Sequence, residues 1–355
     1  MTTYIIRRLL ILPIILFGVT TLIFSLLMLL SPLERVALYV HEIPHTASAI
    51  DRIIAQYGLD EPIHVQYWRW LVGQRDPSTG EVKGGILRGD LGWSHTAQMP
   101  VMQAIREKFP GSAELALWSV IPMLMIGIWL GIESAVHHNR LADHVLRTVS
   151  IIGYSLPTFV FALLMLLLFY SKLGWFPPDR LSQWAKAVVY NPALFTQYTR
   201  MYTVDALLNL RLDIFWDALR HMVLPVIGLS YLNWAIVLRV MRSSMLESLR
   251  QDYITTARSK GLAENKVINQ HARKNALIPV ATIGGIVFVG YLSGVVITET
   301  IYNLHGMGLL YADAALNLDI VTLLGLTLFN GFVLIAGNLV VDILYAIIDP
   351  RVRLS

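Results

Sequence analysis

Few side chains in this sequence have the type and setting to carry chemistry. Glu133, Glu299 and Asp342 are carboxylates in or beside long apolar runs, where a proton could be taken up and released. Gly290-Tyr-Leu-Ser-Gly294 superficially resembles a hydrolase's Gly-x-Ser turn, with the spacing off by one. A serine nucleophile needs a base, and the last apolar run, Ile320–Ile348, holds no histidine. There is no Gly-x-x-x-x-Gly-Lys-Ser/Thr phosphate loop. Cysteine is absent, which excludes disulfides, thiolate metal sites and thiol nucleophiles. The chain therefore reads as no enzyme, with no catalytic residues, metal site or cofactor of its own, and any ATP must be hydrolysed by another subunit.

A second group of residues suits binding rather than reaction. Asp252-Tyr-Ile-Thr-Thr-Ala-Arg-Ser-Lys-Gly-Leu-Ala and Arg273-Lys-Asn-Ala-Leu-Ile-Pro279 belong to a polar, basic stretch between two apolar runs. Residues 252–260 are helix-compatible, Gly261 breaks them, and Ala263–Asn275 predicts a second helix ending before Pro279. Small Ala257 and Gly261 permit close approach of a neighbour, while Arg258 and Lys260 supply a cationic rim. Read alone, these residues suit a docking surface for a soluble partner and a solvated basic loop equally well.

The elements that position both groups are membrane spans. The chain has 355 residues, 55% hydrophobic and 15% charged, against about 25% charged in soluble domains. Its mean hydropathy is +0.57. The net charge of +4 is small and its basic residues lie in loops, which suits membrane orientation rather than nucleic-acid binding. Runs long enough to cross about 30 Å of hydrocarbon are Leu9–Leu30, Ser112–Val136, Val145–Ser171, Asp217–Met241, Ala276–Ile301 and Ile320–Ile348. The fold class is all-α and polytopic. The first run follows Arg7 and Arg8 but ends without a small-x-small cleavage pattern, and reads as a retained signal anchor.

Basic residues orient the spans. The Met241–Asn275 loop carries Arg242, Arg250, Arg258, Lys260, Lys266, Arg273 and Lys274, and Arg140, Arg147, Arg351 and Arg353 mark the same side. The Thr298–Asp319 loop has no Lys or Arg. Both termini are therefore expected in the cytoplasm. This divides the chain into 1–30 (N-terminal end and first span), an extracytoplasmic insertion 31–111, a core 112–348 and a cytoplasmic end 349–355. Within the core, 241–278 is the cytoplasmic loop and 173–216 an extracytoplasmic one. The insertion is too long for a bare connector. Ala47–Tyr57 and Pro62–Val72 predict two short helices, Gln74–Gly85 a turn region, and Val101–Lys108 an amphipathic helix. Trp175, Trp184, Tyr190, Tyr198, Tyr202 and Trp216 are expected as interfacial anchors.

Polar residues within spans share faces. At 100° per residue, Thr327, Asn330, Asn338, Asp342, Tyr345 and Asp349 fall within about one third of a circumference. Such a face lines a pathway or packs against another helix. Asp342 could pair with Arg239 or Arg242, whereas Asn330 and Asn338 sit deeper. Ser150, Tyr154 and Thr158 are expected to share a face of the third span. In the fifth, Ala281-x-x-x-Gly285 and Gly290-x-x-x-Gly294 permit close helix packing, with a second permease as one expected neighbour. Pro122, Pro157 and Pro225 predict kinks.

Tyr253-Ile-Thr-Thr-Ala-Arg-Ser-Lys-Gly261 followed by His271-Ala-Arg-Lys-Asn-Ala-Leu-Ile-Pro279 closely resembles the Glu-Ala-Ala coupling loop of ABC importer permeases, in its oligopeptide/dipeptide form. Matching the motif's glycine to Gly261 places its Glu-Ala-Ala at Thr255, Thr256 and Ala257, so two positions depart from the general pattern, as does the longer spacing to Pro279. Both departures are usual in the peptide branch. Further similarity lies in Tyr57-Gly-Leu-Asp-Glu-Pro-Ile-His-Val-Gln-Tyr67, Gly89-Asp-Leu-Gly92, Gly174-Trp-Phe-Pro-Pro178, Thr298-Glu-Thr-Ile-Tyr302 and Val341-Asp-Ile-Leu-Tyr-Ala-Ile-Ile-Asp-Pro-Arg351.

The resemblance is to the B-type permease subunit of peptide/nickel importers. It implies the type I importer fold and a plasma-membrane (or Gram-negative inner-membrane) location. It also implies a heterodimer with a C-type permease, two ATPase subunits that bind ATP and Mg, and an external solute-binding protein. The implied ATPase-docking residues are Thr255, Thr256, Ala257, Arg258, Lys260, Gly261, Leu262 and Glu264. Substrates of the branch are peptides, nickel chelates and oligosaccharides. An ion-coupled secondary transporter is the rival class; against it stand the absence of a detectable internal repeat and the large loop.

Overall fold

The computed structural model describes residues 2–36, 46–75, 80 and 82–348. The expected cytoplasmic end 349–355, with Asp349, Arg351 and Arg353, lies outside the described residues, as do 76–79 and 81 of the predicted turn region.

In chain order, α1 is Thr2–Leu27, α2 Pro32–Val36, α3 Ala47–Tyr57 and α4 Ile63–Val72. Two small antiparallel hairpins follow, β1 (Gln74–Arg75) with β2 (Val82–Lys83) and β3 (Trp93–Ser94) with β4 (Met99–Pro100). Next come α5 (Val101–Val136), α6 (Leu141–Ser155), and α7 (Thr158–Met165), which continues in π geometry through Leu166–Lys172. The outer loop holds α8 (Gln183–Val189) and α9 (Tyr202–Leu208) before α10 (Leu212–Leu249). Then α11 is Asp252–Ser259, α12 Glu264–Lys266, a π segment Val267–Ala272, and α13 Arg273–Leu292. The chain continues with α14 (Val296–Tyr302), α15 (Met307–Leu316) and α16 (Ile320–Ile348).

Among the described residues five helices are long and apolar enough to cross a membrane, and α6 with α7 makes a sixth if the bent pair is one span. The spans differ from their predicted limits where local chemistry was outweighed. The expected helix Val101–Lys108 and the second span are one 36-residue helix, α5. Gly111 does not end it, because that glycine serves packing: a Cβ there would lie 3.2 Å from the Arg180 Nη1. The third span is broken, its halves bent by 95°. Pro157 forbids helical geometry to its predecessor, and Leu156 is extended at φ −83, ψ 128. The fourth exceeds Asp217–Met241 at both ends; its 38 residues run about 57 Å. The fifth ends at Leu292 instead of Ile301. Gly294, at φ +97, turns the chain where a Cβ would sit 2.5 Å from the Gly308 nitrogen. α14 is thus a separate short helix.

The chain forms two compact units. In residues 2–109 and 309–335, Tyr67 and Trp70 of α4 pack edge-on and tilted against Phe24 of α1. Asp319 caps α16 there, accepting the Thr322 N–H (3.1 Å) and hydroxyl (2.6 Å) and the Thr96 N–H (2.8 Å). Burial opposes its charge, but these hydrogen bonds outweigh it and hold the carboxyl below the usual range.

The second unit, residues 110–308 with 336–348, is organised on α10. One apolar cluster joins Met123, Val237, Leu238, Met241 and Met245 to Val267, Ala272 and Ala276. Another fills the outer loop with Leu181, Ala185, Phe195, Ala206 and Ile214. Tyr202, expected as an interfacial anchor, is buried there under the Arg180 guanidinium, 4.0 Å from its ring centre. Trp175, Trp184, Tyr190, Tyr198 and Trp216 are exposed. Of the close-packing glycines of the fifth span, Gly285 is used within the chain, where a Cβ would meet Val341 at 2.5 Å, whereas a Cβ on Gly290 would meet no described atom within 4 Å.

Candidate functional site

The basic loop is a built object. α11 lies across the helix that follows it, burying Ile254 (0% exposed) and Ala257 (6%) in the cluster that contains Met245, Val267 and Ala272. The periodicity 254, 257 is the inner stripe of a two-turn helix. α11 ends in a Schellman motif: the Leu262 N–H donates to the Ala257 carbonyl (3.4 Å) and the Gly261 N–H to that of Arg258 (2.9 Å). Gly261 has φ +73, the conformation this motif demands, and no atom lies within 4 Å of where its Cβ would be. Its small size is therefore not needed by the chain's own packing.

Of the predicted docking residues, Thr255, Thr256, Arg258, Lys260, Gly261, Leu262 and Glu264 are exposed on one loop, whereas Ala257 faces inward. Ala257 thus permits close approach within the chain rather than to a partner. The expected cationic rim is also smaller. Arg258 forks onto Glu264, with Nη2–Oε1 at 2.7 Å and Nε–Oε2 at 3.1 Å, so the two charges offset each other. The predicted second helix does not end before Pro279. α12, the π segment and α13 run without a break from Glu264 to Leu292, so the loop and the fifth span share one helix. The Asn275 amide donates to the Tyr253 hydroxyl at 2.9 Å and ties α11 to that helix. Sequence reading missed this pair, although a tyrosine on a polar helix was a visible signal.

The last span is a single helix, so Thr327, Asn330, Asn338 and Asp342 keep a common arc. Thr327 and Asn338 are exposed, Asn330 and Asp342 half-buried. The Asn330 amide donates to the Tyr311 hydroxyl at 3.1 Å, and that hydroxyl donates to Thr327 Oγ1 at 3.3 Å. Tyr311 was not foreseen, because α15 lies outside the predicted spans. Asn330 Oδ1 is buried and finds no partner among the described residues, which is costly unless a donor from outside them reaches it. The face expected in the third span is not assembled: Ser150 lies on α6, Thr158 opens α7 beyond the break, and of Tyr154 only the backbone is described. The Ser150 hydroxyl donates to the Arg147 carbonyl at 3.0 Å. Arg242 does not await Asp342, for it forks onto Asp143 at 2.7 Å from both Nε and Nη2.

The carboxylates considered for proton chemistry are placed differently. Glu133 is half-buried and 3.0 Å from His137. Glu299 is fully buried, accepting from the Ser112 hydroxyl at 2.7 Å and the Val295 N–H at 3.1 Å. In the outer loop, Ser182, Asp217 and His221 lie together, the Ser182 Oγ 3.2 Å from His221 Nε2 but giving its single proton to the Asp217 carboxylate. The Asp217 carboxylate accepts the Ser182 hydroxyl at 2.6 Å, and His221 Nδ1 donates to the Pro178 and Asp179 carbonyls at 2.9 and 3.1 Å. The arrangement pins the loop to α10.

Helical spans around a long, rigid loop define a multi-pass membrane transport component. Residues 123–354 match the family described as "Binding-protein-dependent transport system inner membrane component", and residues 1–116 match its N-terminal membrane component. The chain belongs to this family, the membrane permeases of ABC importers. It is 38% identical over 304 residues to the probable D,D-dipeptide transport system permease protein DdpB of Escherichia coli (strain K12), covering 85% of this chain and 84% of that one. It is 34% identical to the oligopeptide transport system permease protein AppB of Bacillus subtilis (strain 168), covering 99% and 100%. It is also 36% identical to the di/tripeptide transport system permease protein DppB of Pseudomonas aeruginosa (strain UCBPP-PA14), covering 99% of each.

Proposed function

We propose that this chain forms half of the translocation pathway of a peptide importer. It pairs with a C-type permease and receives peptides from a solute-binding protein. It is driven by two ATPase subunits that bind ATP and Mg and dock on the 252–264 loop. The observation that carries the coupling role is mechanical. α11 is clamped by Ile254, Ala257 and the Tyr253–Asn275 hydrogen bond onto a helix that continues into the fifth span. A displacement of the loop's exposed face would be passed to that span with little loss, because a packed interface does not deform continuously. Peptides are favoured over nickel chelates and oligosaccharides by the substrates named for the relatives above.

The polar arc of α16 is the candidate pathway lining. In proteoliposomes holding the whole complex, uptake of a labelled dipeptide is expected to require ATP on the ATPase side and the binding protein outside. Asn330→Leu or Asn338→Leu should reduce that uptake while the complex still purifies intact. Uptake driven by a proton gradient without ATP would refute the importer reading; loss of assembly in both variants would make the arc a packing surface.

Orientation follows from the seven basic residues of the Met241–Asn275 loop against none in Thr298–Asp319. Both termini are then cytoplasmic and the insertion is outside. Ser48 and Ser259 are both exposed. Cysteine at Ser48 should react with an impermeant maleimide in intact cells, and cysteine at Ser259 only after lysis. The opposite pattern inverts the topology.

A further inference from the structure

A cavity of about 690 Å³ lies within the unit of residues 2–109 and 309–335, and the proposed transport mechanism does not use it. Its lining divides by depth. Val321, Leu324, Gly325 and Leu328 follow one another at helical spacing in the first turns of the last span, and Leu27 ends the first. Two span ends therefore set this floor at the level of hydrocarbon. Trp70 adds to it, its ring 5.4 Å from that of Phe24 on α1. The remaining lining belongs to the insertion and is of another character, with Arg69, Arg75 and Asp90 beside aromatic Tyr57 and Trp93. Basic and amphipathic aromatic side chains together are what proteins place at headgroup level.

We propose that this cavity holds one phospholipid, its acyl chain on the Leu27, Leu324 and Leu328 floor and its phosphate between Arg69 and Arg75. Arg75 is exposed, with its Nε donating to the Gly80 carbonyl at 3.0 Å, and Arg69 pairs through Nη2 with Glu61 at 3.0 Å among the described residues, so each guanidinium keeps N–H groups able to meet a phosphate. Asp90, whose Oδ1 accepts the Gly92 N–H at 3.0 Å within its own turn, is outnumbered by the two arginines. A peptide fits this lining less well: its amides would be buried against the apolar floor without partners, whereas an acyl chain loses nothing there. The proposal rests on the membrane placement of the first and last spans and not on the identity of the transported solute.

The test counts lipid and does not depend on transport. The complete complex is purified in detergent, incubated with mixed micelles of palmitoyl-oleoyl phosphatidylglycerol, exchanged repeatedly into lipid-free detergent, and assayed by native mass spectrometry. Wild type should keep one slowly exchanging phospholipid more than Leu328→Trp, whose indole fills the floor. Arg75→Glu should lower retention of that lipid about five-fold or more, while Arg52→Glu, an exposed arginine outside the cavity, should match wild type. Equal retention in Arg75→Glu and Arg52→Glu overturns the proposal, and this comparison decides the matter even if Leu328→Trp fails to fold. A peptide recovered in place of lipid, or no retained lipid in wild type, also overturns it.

Discussion

Gly261→Trp is expected to leave the chain inserted in the membrane while abolishing ATP hydrolysis stimulated by the binding protein and weakening ATPase retention. A tryptophan at this position carries two separable costs. Any side chain at φ +73 costs about 1–2 kcal/mol in left-handed geometry, too little to unseat the loop from its apolar cluster. No described atom beyond the chain neighbours lies within 4 Å of where the Cβ would be, so bulk at this position sets out into open space, where a docked partner would meet it. Gly261→Ala therefore carries the backbone cost alone and should keep most of the stimulated turnover. Gly261→Trp carries both. ATPase subunits retained on the purified complex and stimulated turnover are measured for each variant. If Gly261→Trp equals wild type in both, the ATPase docks elsewhere.

Glu114→Ala should produce the largest loss of stability among single substitutions at the contact between α5 and the outer loop. The Glu114–Arg180 ion pair is 2.6 Å long and almost wholly buried. Glu114 also accepts the Thr203 N–H at 2.6 Å and its hydroxyl at 2.7 Å. Removing the carboxylate leaves a buried guanidinium whose remaining contacts are the Arg200 carbonyl at 3.0 Å and the Tyr202 ring. Breaking a buried pair in this way costs about 3–5 kcal/mol. Adding Arg180→Met removes the stranded charge, so the double variant should be more stable than Glu114→Ala alone. Thermal unfolding of the detergent-purified protein tests this, and a double variant less stable than the single one would show that Arg180 stabilises the loop without its carboxylate partner.

Several features were legible because they depend on composition or on one residue's backbone. Long apolar runs disclose helices because a membrane leaves the backbone no other partner. Gly261 was readable as a break because only glycine adopts left-handed geometry at little cost. The loop's family resemblance lay in a contiguous string, Tyr253 to Pro279, so no fold was needed to recognise it. The third span shows the limit. Pro157 announced a kink, but its size, and so the loss of the Ser150–Thr158 face, depended on how the two halves pack.

The sequence by itself determined the class of protein, its spans, the basic loop and the residues of that loop, because hydrophobicity, charge and glycine act locally. Only the tertiary structure decided which way each loop residue faces and what it touches. Arg258 looks like a free cation until Glu264 is found beside it, and Ala257 looks like a contact for a partner until Met245 and Val267 enclose its side. The same holds for Arg242, which meets Asp143 from 99 residues away rather than Asp342. Such pairings are set by the packing of α6, α10 and α11, and the energy of a contact between distant segments is written in no single stretch of chain.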